Sequence, residues 1–396
     1  MRIKTTLSII VRVALLCMAL AVAATACGED LQTTAIGEGD AEALAQENAS
    51  DTASEDQREE ASTCFDDPGL ESITPGGDEA GTTITLATHD SFVLSDGTLA
   101  AFTDATGISV EQVAVGDAGQ LVSQSILTKD NPTADVLFGI DNAFLCRGLE
   151  ADLFVPYASP ALSDVDDELE LDPYNRVTPI SFGDVCVNYW SDALAGPAPA
   201  TLDDLADPVH ADQFVTQNPE TSSPGFAFLL ATISEYGDDG WENYWESLVE
   251  NGVSITSGWN DAYYGEFIAG GGDRSIVTSY ASSPPAEFLF ADPPVDTPPT
   301  AVLDDSCFRQ IEFAGVLAGT EHPEAAAALI DFMLGITYQE DVPLNMFVYP
   351  ANGRAALPES FVDFGPLVDD ARTIDPAVIE TNRDDWTERW NNIVLG

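Results

Sequence analysis

Along residues 82–142, apolar and polar positions follow a β-α-β-α-β order. This order predicts an α/β fold built on a parallel sheet with helices on both sides. The predicted segments are, in chain order, the strand 82–88, a helix around 99–102, the strand 108–115, a helix at about 120–127 and the strand 134–142.

Polar side chains follow each of these three strands. His89 and Asp90 come after the first strand, Asp117 after the second, and Asp141 with Asn142 end the third. In an open α/β sheet, ligands bind beyond the carboxyl ends of the strands. Each residue alone could form a turn or cap a helix, but their convergence on one edge predicts a ligand site there.

The remaining pattern predicts a second α/β lobe that long strands join to the first. These long strands are 180–190 and 307–317, and the clearest helix is 322–335, with Pro323 just inside its start. In the segment 221–225 a further helix begins, and there the side chain of a serine either faces a ligand or caps the helix.

Aromatic residues concentrate beside the predicted loops of this second lobe. Trp259, Tyr263 and Tyr264 lie within six residues, and the two adjacent tyrosines must point in different directions. Flat rings of this kind could sandwich a planar cationic molecule, the two phenolates could ligate ferric iron, or the rings could simply pack in the core. A second aromatic-flanked segment, 275–285, ends a strand in a predicted loop that carries Tyr280.

Charge narrows the classes of partner. The chain has 396 residues, of which 68 are acidic and 13 basic, and its formal net charge is −55. This balance argues against binding nucleic acid or anionic lipid, because both require basic surfaces. An acidic excess keeps a protein soluble and attracts cations, although an organism that favours acidic surfaces would also account for it.

The N-terminus predicts export. Residues 1–26 have a basic start and an apolar run at 13–23 that is too short to span a membrane, as in a signal peptide of the lipoprotein type. Cleavage before Cys27, with lipid on its thiol, is the expectation, and ordinary cleavage near Ala26 is the alternative. Residues 27–80 are acidic and poor in apolar residues, which predicts a disordered tether. The folded domain would then be 81–396.

Four cysteines remain beyond the lipid-attachment position: Cys64, Cys146, Cys186 and Cys307. An even number in an exported chain predicts two disulfides, in any of three pairings. Pairing of Cys64 would attach the end of the tether to the fold.

The residues do not favour an enzyme, a metal site or a cofactor. Nucleophilic catalysis needs an activated serine or cysteine beside a base, whereas the chain has three histidines and no Gly-x-Ser-x-Gly turn. A glycine-rich phosphate loop is absent too. Carboxylates are abundant enough for a carboxylate hydrolase, but two lobes with aromatic-rich loop ends favour a binding protein without a cofactor.

Six short motifs occur in a characteristic order across residues 82–396. They are THDSF (88–92), ADVLFGIDN (134–142), TSSPG (221–225), GWNDAY (258–263), SYASSP (279–284) and YP (349–350). Together they resemble the thiamine-binding subunits of bacterial ABC importers. The chain departs from this family at His89, where relatives carry tyrosine, and at Phe347, where they carry tryptophan.

The resemblance implies a two-lobed type II periplasmic-binding-protein fold, with crossing strands as a hinge and a ligand cleft between the lobes. Lobe 1 would comprise about 82–179 and 309–337, and lobe 2 about 180–308 and 338–396. The implied ligand contacts fall on Asp117, Ala118, Ser223, Pro224, Trp259, Tyr280, Ala281, Ser282 and Ser283, and Phe347 would add a further ring.

The implied function is capture of thiamine or its phosphates by hinge closure, followed by delivery to the membrane permease of an ABC importer. Trp259 and Tyr280 would stack on the ligand rings, Asp117 would compensate the positive charge or accept from the exocyclic amine, and the serines 282 and 283 would bind hydroxyl or phosphate groups. The protein would be a monomer, lipid-anchored at the outer face of the cell membrane or periplasmic.

Two alternatives remain open from the sequence. A ferric-iron transport protein of the same fold would use Tyr263 and Tyr264 as ligands. A structural surface lipoprotein would bind no ligand at all.

Overall fold

One mixed β-sheet connects both halves of the folded chain. The computed structural model describes residues 62–77, 79–365 and 367–396. The predicted signal peptide, Cys27 and most of the predicted tether lie outside these residues. The strands are β1 (Thr83–Thr88), β2 (Ser109–Ala114), β3 (Val136–Asp141), β4 (Phe154–Val155), β5 (Thr178–Trp190), β6 (Phe214–Gln217), β7 (Ser254–Thr256), β8 (Ile276–Tyr280), β9 (Thr300–Leu317) and β10 (Tyr349–Pro350).

Helices cover the sheet on both sides. They are α1 (Thr98–Thr106), α2 (Ala118–Leu127), α3 (Leu145–Glu150), α4 (Leu202–Leu205), α5 (Ser223–Tyr236), α6 (Trp241–Glu250), α7 (Ser283–Leu289), α8 (Pro323–Met333), α9 (Ile336–Gln339), α10 (Val342–Asn345), α11 (Glu359–Phe364) and α12 (Pro376–Val394). Short 3₁₀ turns occur at Pro160–Asp164, Asp167–Leu169, Pro208–His210 and Ile268–Gly270, and one π-helical turn at Asp261–Glu266. Within the described residues, no helix has the length and apolar character needed to cross a membrane.

The first half of the sheet confirms the predicted parallel pairing. β1 pairs in parallel with β2 on one side and with β3 on the other. Every residue of β3 is buried, as expected for a parallel strand that helices cover on both faces. Its apolar side chains and those of β1 form the centre of the core in this half.

Two long antiparallel strands, β5 and β9, join the halves. They pair from Thr178 opposite Ala314 to Trp190 opposite Thr300. β3 pairs with one end of β9, and β8 pairs with the other end of β5, so the strand order is β2-β1-β3-β9-β5-β8-β6-β7. This is the two-lobed α/β architecture with crossing hinge strands that the sequence predicted.

The second half contains helices that the sequence analysis did not assign. α6 places Trp241, Tyr244, Trp245 and Leu248 on one buried face, at the spacing of an amphipathic helix. Trp390 of α12 packs edge-on against Trp245, with ring centroids 5.4 Å apart. The segment predicted as a loop after β8 instead begins α7, because proline is well tolerated in the first turn of a helix.

Two disulfides are present, as the cysteine count predicted. Cys64 pairs with Cys146, and Cys186 on β5 pairs with Cys307 on β9. Cys64 is fully buried, and its carbonyl oxygen accepts a hydrogen bond of 2.6 Å from the guanidinium of Arg176. The segment around Cys64 is therefore fixed to the first lobe, while the second disulfide links the hinge strands to each other.

Candidate ligand-binding cavity

A cavity of about 420 Å³ opens at the carboxyl ends of β1 and β2, facing the second lobe. This volume is typical of sites for small organic ligands. Eight of the ten residues predicted to contact a ligand line it: Asp117, Ala118, Ser223, Pro224, Trp259, Tyr280, Ser283 and Phe347.

The other two predicted residues lie behind the cavity wall. Ala281 is buried in a small cluster with Cys186 and Cys307. The hydroxyl of Ser282 donates a hydrogen bond of 2.5 Å to the carbonyl oxygen of Phe347. These residues support the wall, and their side chains do not line it.

One side of the cavity is aromatic. We call this side the aromatic wall and define it as Trp259, Tyr263, Tyr264, Tyr280, Phe290 and Phe347. Trp259 stacks on Tyr263 with ring centroids 4.7 Å apart and an interplanar angle of 21°. Tyr264 meets Trp259 edge-on at 5.3 Å. The rings therefore support one another before any ligand is present.

Hydrogen bonds fix the orientation of Trp259. Its indole Nε1 donates to Ser279 Oγ at 3.0 Å, and its backbone N–H donates to Asp117 Oδ2 at 3.0 Å. The following π-helical turn directs the two tyrosines apart, as the sequence predicted. Tyr263 is 3% exposed and Tyr264 is 60% exposed.

Phe347 occupies an unusual backbone conformation. Its φ angle is +53°, in the left-handed region that bulky residues rarely adopt. Its carbonyl oxygen is held by Ser282, and its ring stacks on Phe361 at 6.2 Å. Strained residues of this kind persist where the surrounding structure fixes them, and they concentrate at ligand sites.

A second group of residues that line the cavity is polar and acidic. We call it the carboxylate wall and define it as His89, Asp90, Asp117 and Glu312. The polar residues that follow β1 and β2 therefore meet at this cavity, as the sequence predicted. At the end of β3, Asp141 lies behind the wall, and its Oδ2 accepts a hydrogen bond of 3.1 Å from Gln310.

Asp117 joins the two lobes. Its carboxylate caps α2 by accepting from the N–H of Ala118 at 2.6 Å. It also accepts from the backbone N–H of Trp259 at 3.0 Å and of Ser223 at 3.4 Å, both in the second lobe. Burial raises the pKa of Asp117, although these backbone hydrogen bonds oppose the shift. The sequence left two roles open for Asp117, a helix cap and a ligand-site residue. In the structure it caps α2 and also lines the cavity.

His89 lies between carboxylates. Its Nε2 is 3.4 Å from Glu312 Oε1, and Ser181 donates to the other oxygen of Glu312 at 2.8 Å. Burial opposes the charged imidazolium, but the carboxylates of Glu312, Asp117 and Asp90 outweigh it and raise the pKa of His89.

Asp141 connects β3 to α5. Its carboxylate accepts a hydrogen bond from the hydroxyl of Ser223. It also accepts from the backbone N–H groups of Ala143 and Phe144, and both of these hydrogen bonds are 3.0 Å long. Burial raises the pKa of Asp141 to about 7. Asn142, the next residue, turns away and bonds the backbone of Arg309 and Ile311 on β9.

The sequence analysis missed Gln310, Glu312 and Glu287, which also line the cavity. A signal for the first two exists, since polar residues at alternate positions of a long apolar strand indicate one polar face. Glu287 was not predicted to line the cavity, because the segment that forms α7 had been predicted as a loop.

The adjacent tyrosines have different environments in the structure. The hydroxyl of Tyr263 donates to Glu287 Oε1 at 2.7 Å, and burial together with Glu287 raises the pKa of Tyr263 well above its usual value. Among the described residues, no group of three or more His, Cys, Asp or Glu side chains is placed to hold a metal ion.

Comparison with known proteins agrees with this architecture. Residues 131–363, more than half of the chain, match the model of the family described as bacterial extracellular solute-binding protein. The thiamine-binding periplasmic protein of Escherichia coli (strain K12) is 29% identical over 321 residues, which are 78% of this chain and 93% of that protein.

Solved structures show the same fold. A periplasmic thiamin binding protein superimposes with a TM-score of 0.69 at 26% identity, over 82% of this chain and 99% of that one. Iron-bound HitA from Pseudomonas aeruginosa superimposes with a TM-score of 0.62 at 20% identity, over 79% and 99% of the two chains. These relatives are solute-binding proteins of two lobes. The chain belongs to the family of bacterial extracellular solute-binding proteins.

Proposed function

We propose that this protein binds thiamine in the cavity between its lobes and delivers it to the membrane permease of an ABC importer. The observation that carries the proposal is the pairing of an aromatic wall with a carboxylate wall around one cavity. Thiamine has a cationic thiazolium ring and an aminopyrimidine ring. Stacked rings bind such cations with about 0.5 to 2 kcal/mol for each contact, and the carboxylates compensate the charge.

Trp259 and Tyr280 are the proposed stacking residues, with Phe347 as a third. Trp259 is already oriented by Ser279 and Asp117, so little side-chain entropy is lost when a ligand stacks on it. Tyr280 ends β8 and lines the cavity, where burial raises the pKa of its phenol well above its usual value.

Hinge closure is the proposed mechanism of capture. Asp117 connects the end of β2 with Trp259 and Ser223, so one carboxylate holds both lobes around the cavity. A bound cation next to this carboxylate offsets part of the cost of burying it. Ligand binding and lobe closure therefore favour each other.

The proposal extends to the location of the protein. Cys27 would carry the lipid anchor, the part of the predicted tether that precedes the segment fixed by Cys64 would act as the tether, and the folded domain would bind the solute as a monomer without enzymatic activity. The relatives are periplasmic, which suits a binding protein that meets its solute outside the cytoplasm.

Titration of the purified protein tests the ligand. We expect thiamine to change the intrinsic tryptophan fluorescence saturably and to give a one-site isotherm in calorimetry, because Trp259 lines the cavity. Ferric citrate serves as the comparison ligand. A response to iron alone would show that the ligand is ferric iron and not thiamine. A response to neither ligand would favour a structural lipoprotein.

A further inference from the structure

Beside the cavity, a backbone turn of the second lobe lies directly against a helix of the first. The turn is 218–222, between β6 and α5, and the helix is α2. The N–H of Gly119, in the first turn of α2, donates a hydrogen bond of 3.2 Å to the carbonyl oxygen of Thr221. We call this meeting of Gly119 with the turn 218–222 the lobe contact.

The lobe contact leaves no room for a side chain at position 119. A Cβ atom added to Gly119 would lie 2.5 Å from the carbonyl oxygen of Glu220 and 3.0 Å from that of Thr221. Nonbonded heavy atoms normally approach to about 3.5 to 4.0 Å. Both oxygens belong to the backbone, so rotation of a side chain cannot relieve the overlap. Since Gly119 lies within an α-helix, where any residue but proline fits, glycine is needed here for the close approach and not for its backbone conformation.

Hydrogen bonds fix both partners of the lobe contact. In the turn, the N–H of Glu220 donates to Asn218 Oδ1 at 2.8 Å, and the hydroxyl of Thr221 donates to the carbonyl oxygen of Ser257 at 2.6 Å. On the other side, the carboxylate of Asp117 caps the start of α2. An added methyl group would therefore move the two lobes apart more readily than it would deform either one.

The lobe contact is adjacent to the hydrogen bonds that hold the cavity together. Asp117, two residues before Gly119, accepts from the N–H of Ser223 at 3.4 Å and from the N–H of Trp259 at 3.0 Å. These bonds join the first lobe to the second, and they require α2 to lie close to the start of α5. Separation at position 119 would therefore break them as well.

We propose that Gly119 is a positioning residue for ligand capture, because the absence of a side chain there allows the two lobes to close on each other. The inference rests on the proposed function and deepens it, since closure then depends on a residue that does not itself line the cavity. When the lobes are apart, a methyl group at position 119 meets no part of the turn. Alanine there would thus disfavour the closed form alone and shift the population towards the open form.

Gly119→Ala distinguishes this role from a purely structural one, because stability and affinity should respond differently. Alanine is more favourable than glycine in a helix, so the thermal midpoint of the ligand-free variant should equal or exceed that of the unsubstituted protein. The affinity for thiamine, measured by calorimetry, should fall by roughly tenfold or more, since overlap with backbone atoms is costly. A lower ligand-free midpoint would show that the lobes already meet without a ligand and would overturn the inference. An unchanged affinity would overturn it too.

Two other glycines provide controls. At Gly97, just before α1 in the first lobe, an added Cβ meets no atom within 4 Å, so Gly97→Ala should leave the affinity unchanged. At Gly225 in α5, an added Cβ would lie 2.5 Å from the carbonyl oxygen of Gln217 in the same lobe. Gly225→Ala should therefore lower the ligand-free midpoint, as overlap within one lobe does.

Small-angle X-ray scattering with and without thiamine measures closure directly. The unsubstituted protein should become more compact when thiamine binds, and Gly119→Ala should show less of this change at a saturating thiamine concentration. An equal change in both proteins would overturn the inference and leave the proposed function intact. Absence of thiamine binding by the unsubstituted protein would overturn both.

Discussion

The two walls of the cavity are held in place by different forces. In the aromatic wall the rings contact one another, as in the stack of Trp259 on Tyr263 at 4.7 Å. In the carboxylate wall the side chains depend on hydrogen bonds to other segments, as Asp117 does on the N–H groups of Trp259 and Ser223. The aromatic wall therefore depends mainly on ring packing, to which the hydrogen bonds of Trp259 add, and the carboxylate wall depends mainly on hydrogen bonds between the lobes.

This difference assigns different tasks to the walls. Apolar rings lose little by being buried, so the aromatic wall can provide most of the affinity. Buried carboxylates are costly unless they are hydrogen-bonded or paired, and burial raises the pKa of Asp117 accordingly. A cation that enters the cavity relieves this cost, so the carboxylate wall should set charge selectivity and the response to pH.

The largest effect is expected from the aromatic wall. Trp259→Ala should weaken thiamine binding by about 1 to 3 kcal/mol, because the ligand loses a stacking partner and Tyr263 loses its neighbour. Calorimetry of the variant measures this change.

Trp390→Ala is the control for this variant. Trp390 is a buried tryptophan of α12 that packs edge-on against Trp245 at 5.4 Å, outside the cavity. We expect the control to lower the thermal midpoint without changing the affinity. Unchanged thiamine affinity in Trp259→Ala would show that Trp259 does not contact the ligand.

A smaller effect is expected from pH, and it should come from the carboxylate wall. Burial raises the pKa of Asp117 in this wall and of Glu287, which lines the cavity outside it, so both groups take up protons at a higher pH than usual as the solution is acidified. The pKa of His89 is raised too, against its burial, by Glu312 and neighbouring carboxylates, so its imidazole gains positive charge in the same direction. Both changes make the cavity less negative.

A cation binds best when the carboxylates are ionised and the imidazole is neutral, so binding releases protons and affinity rises with pH. Between about pH 8 and pH 5.5 we expect the affinity for thiamine to fall by roughly tenfold, measured by calorimetry. The Trp259→Ala variant should keep the same slope, because it retains the backbone N–H that donates to Asp117 and removes no group that titrates in this range. An affinity that is constant or increases on acidification would contradict the role of the carboxylate wall.

The sequence predicted the parts of the fold that local periodicity encodes. The parallel strands β1 to β3 and the hinge strands β5 and β9 follow from runs of apolar residues with turn residues between them. α7 was missed because two prolines in succession favour a loop, although both fit the first turn of a helix. α6 was missed even though its buried residues recur at helical spacing.

The residues of the site were also predicted only in part, but the reason differs from that for the fold. Motif resemblance brought eight lining residues together, but it gave no information about their bonds. The two acceptor contacts of Asp117 in the second lobe span 106 and 142 residues of sequence, so no local pattern encodes them. Glu312 was overlooked because the polar face that Gln310 and Glu312 form on an apolar strand can contact either solvent or a cavity.

The smallest effect on thiamine affinity is expected from substitution of Tyr264, and this substitution distinguishes a thiamine site from an iron site. Tyr264 is 60% exposed and touches Trp259 only edge-on, so Tyr264→Phe keeps the ring and should change thiamine affinity by less than about twofold.

The adjacent residue provides the control. Tyr263→Phe removes the hydrogen bond to Glu287 and should cost about 0.5 to 1.5 kcal/mol of stability, because a half-buried carboxylate loses its donor. Calorimetry with thiamine and with ferric citrate, together with thermal unfolding, measures both variants. A ferric site built on the two phenolates would instead lose iron binding in both variants, since either substitution removes a metal ligand. Retention of thiamine binding by Tyr264→Phe would show that the hydroxyl of Tyr264 does not contribute to the affinity.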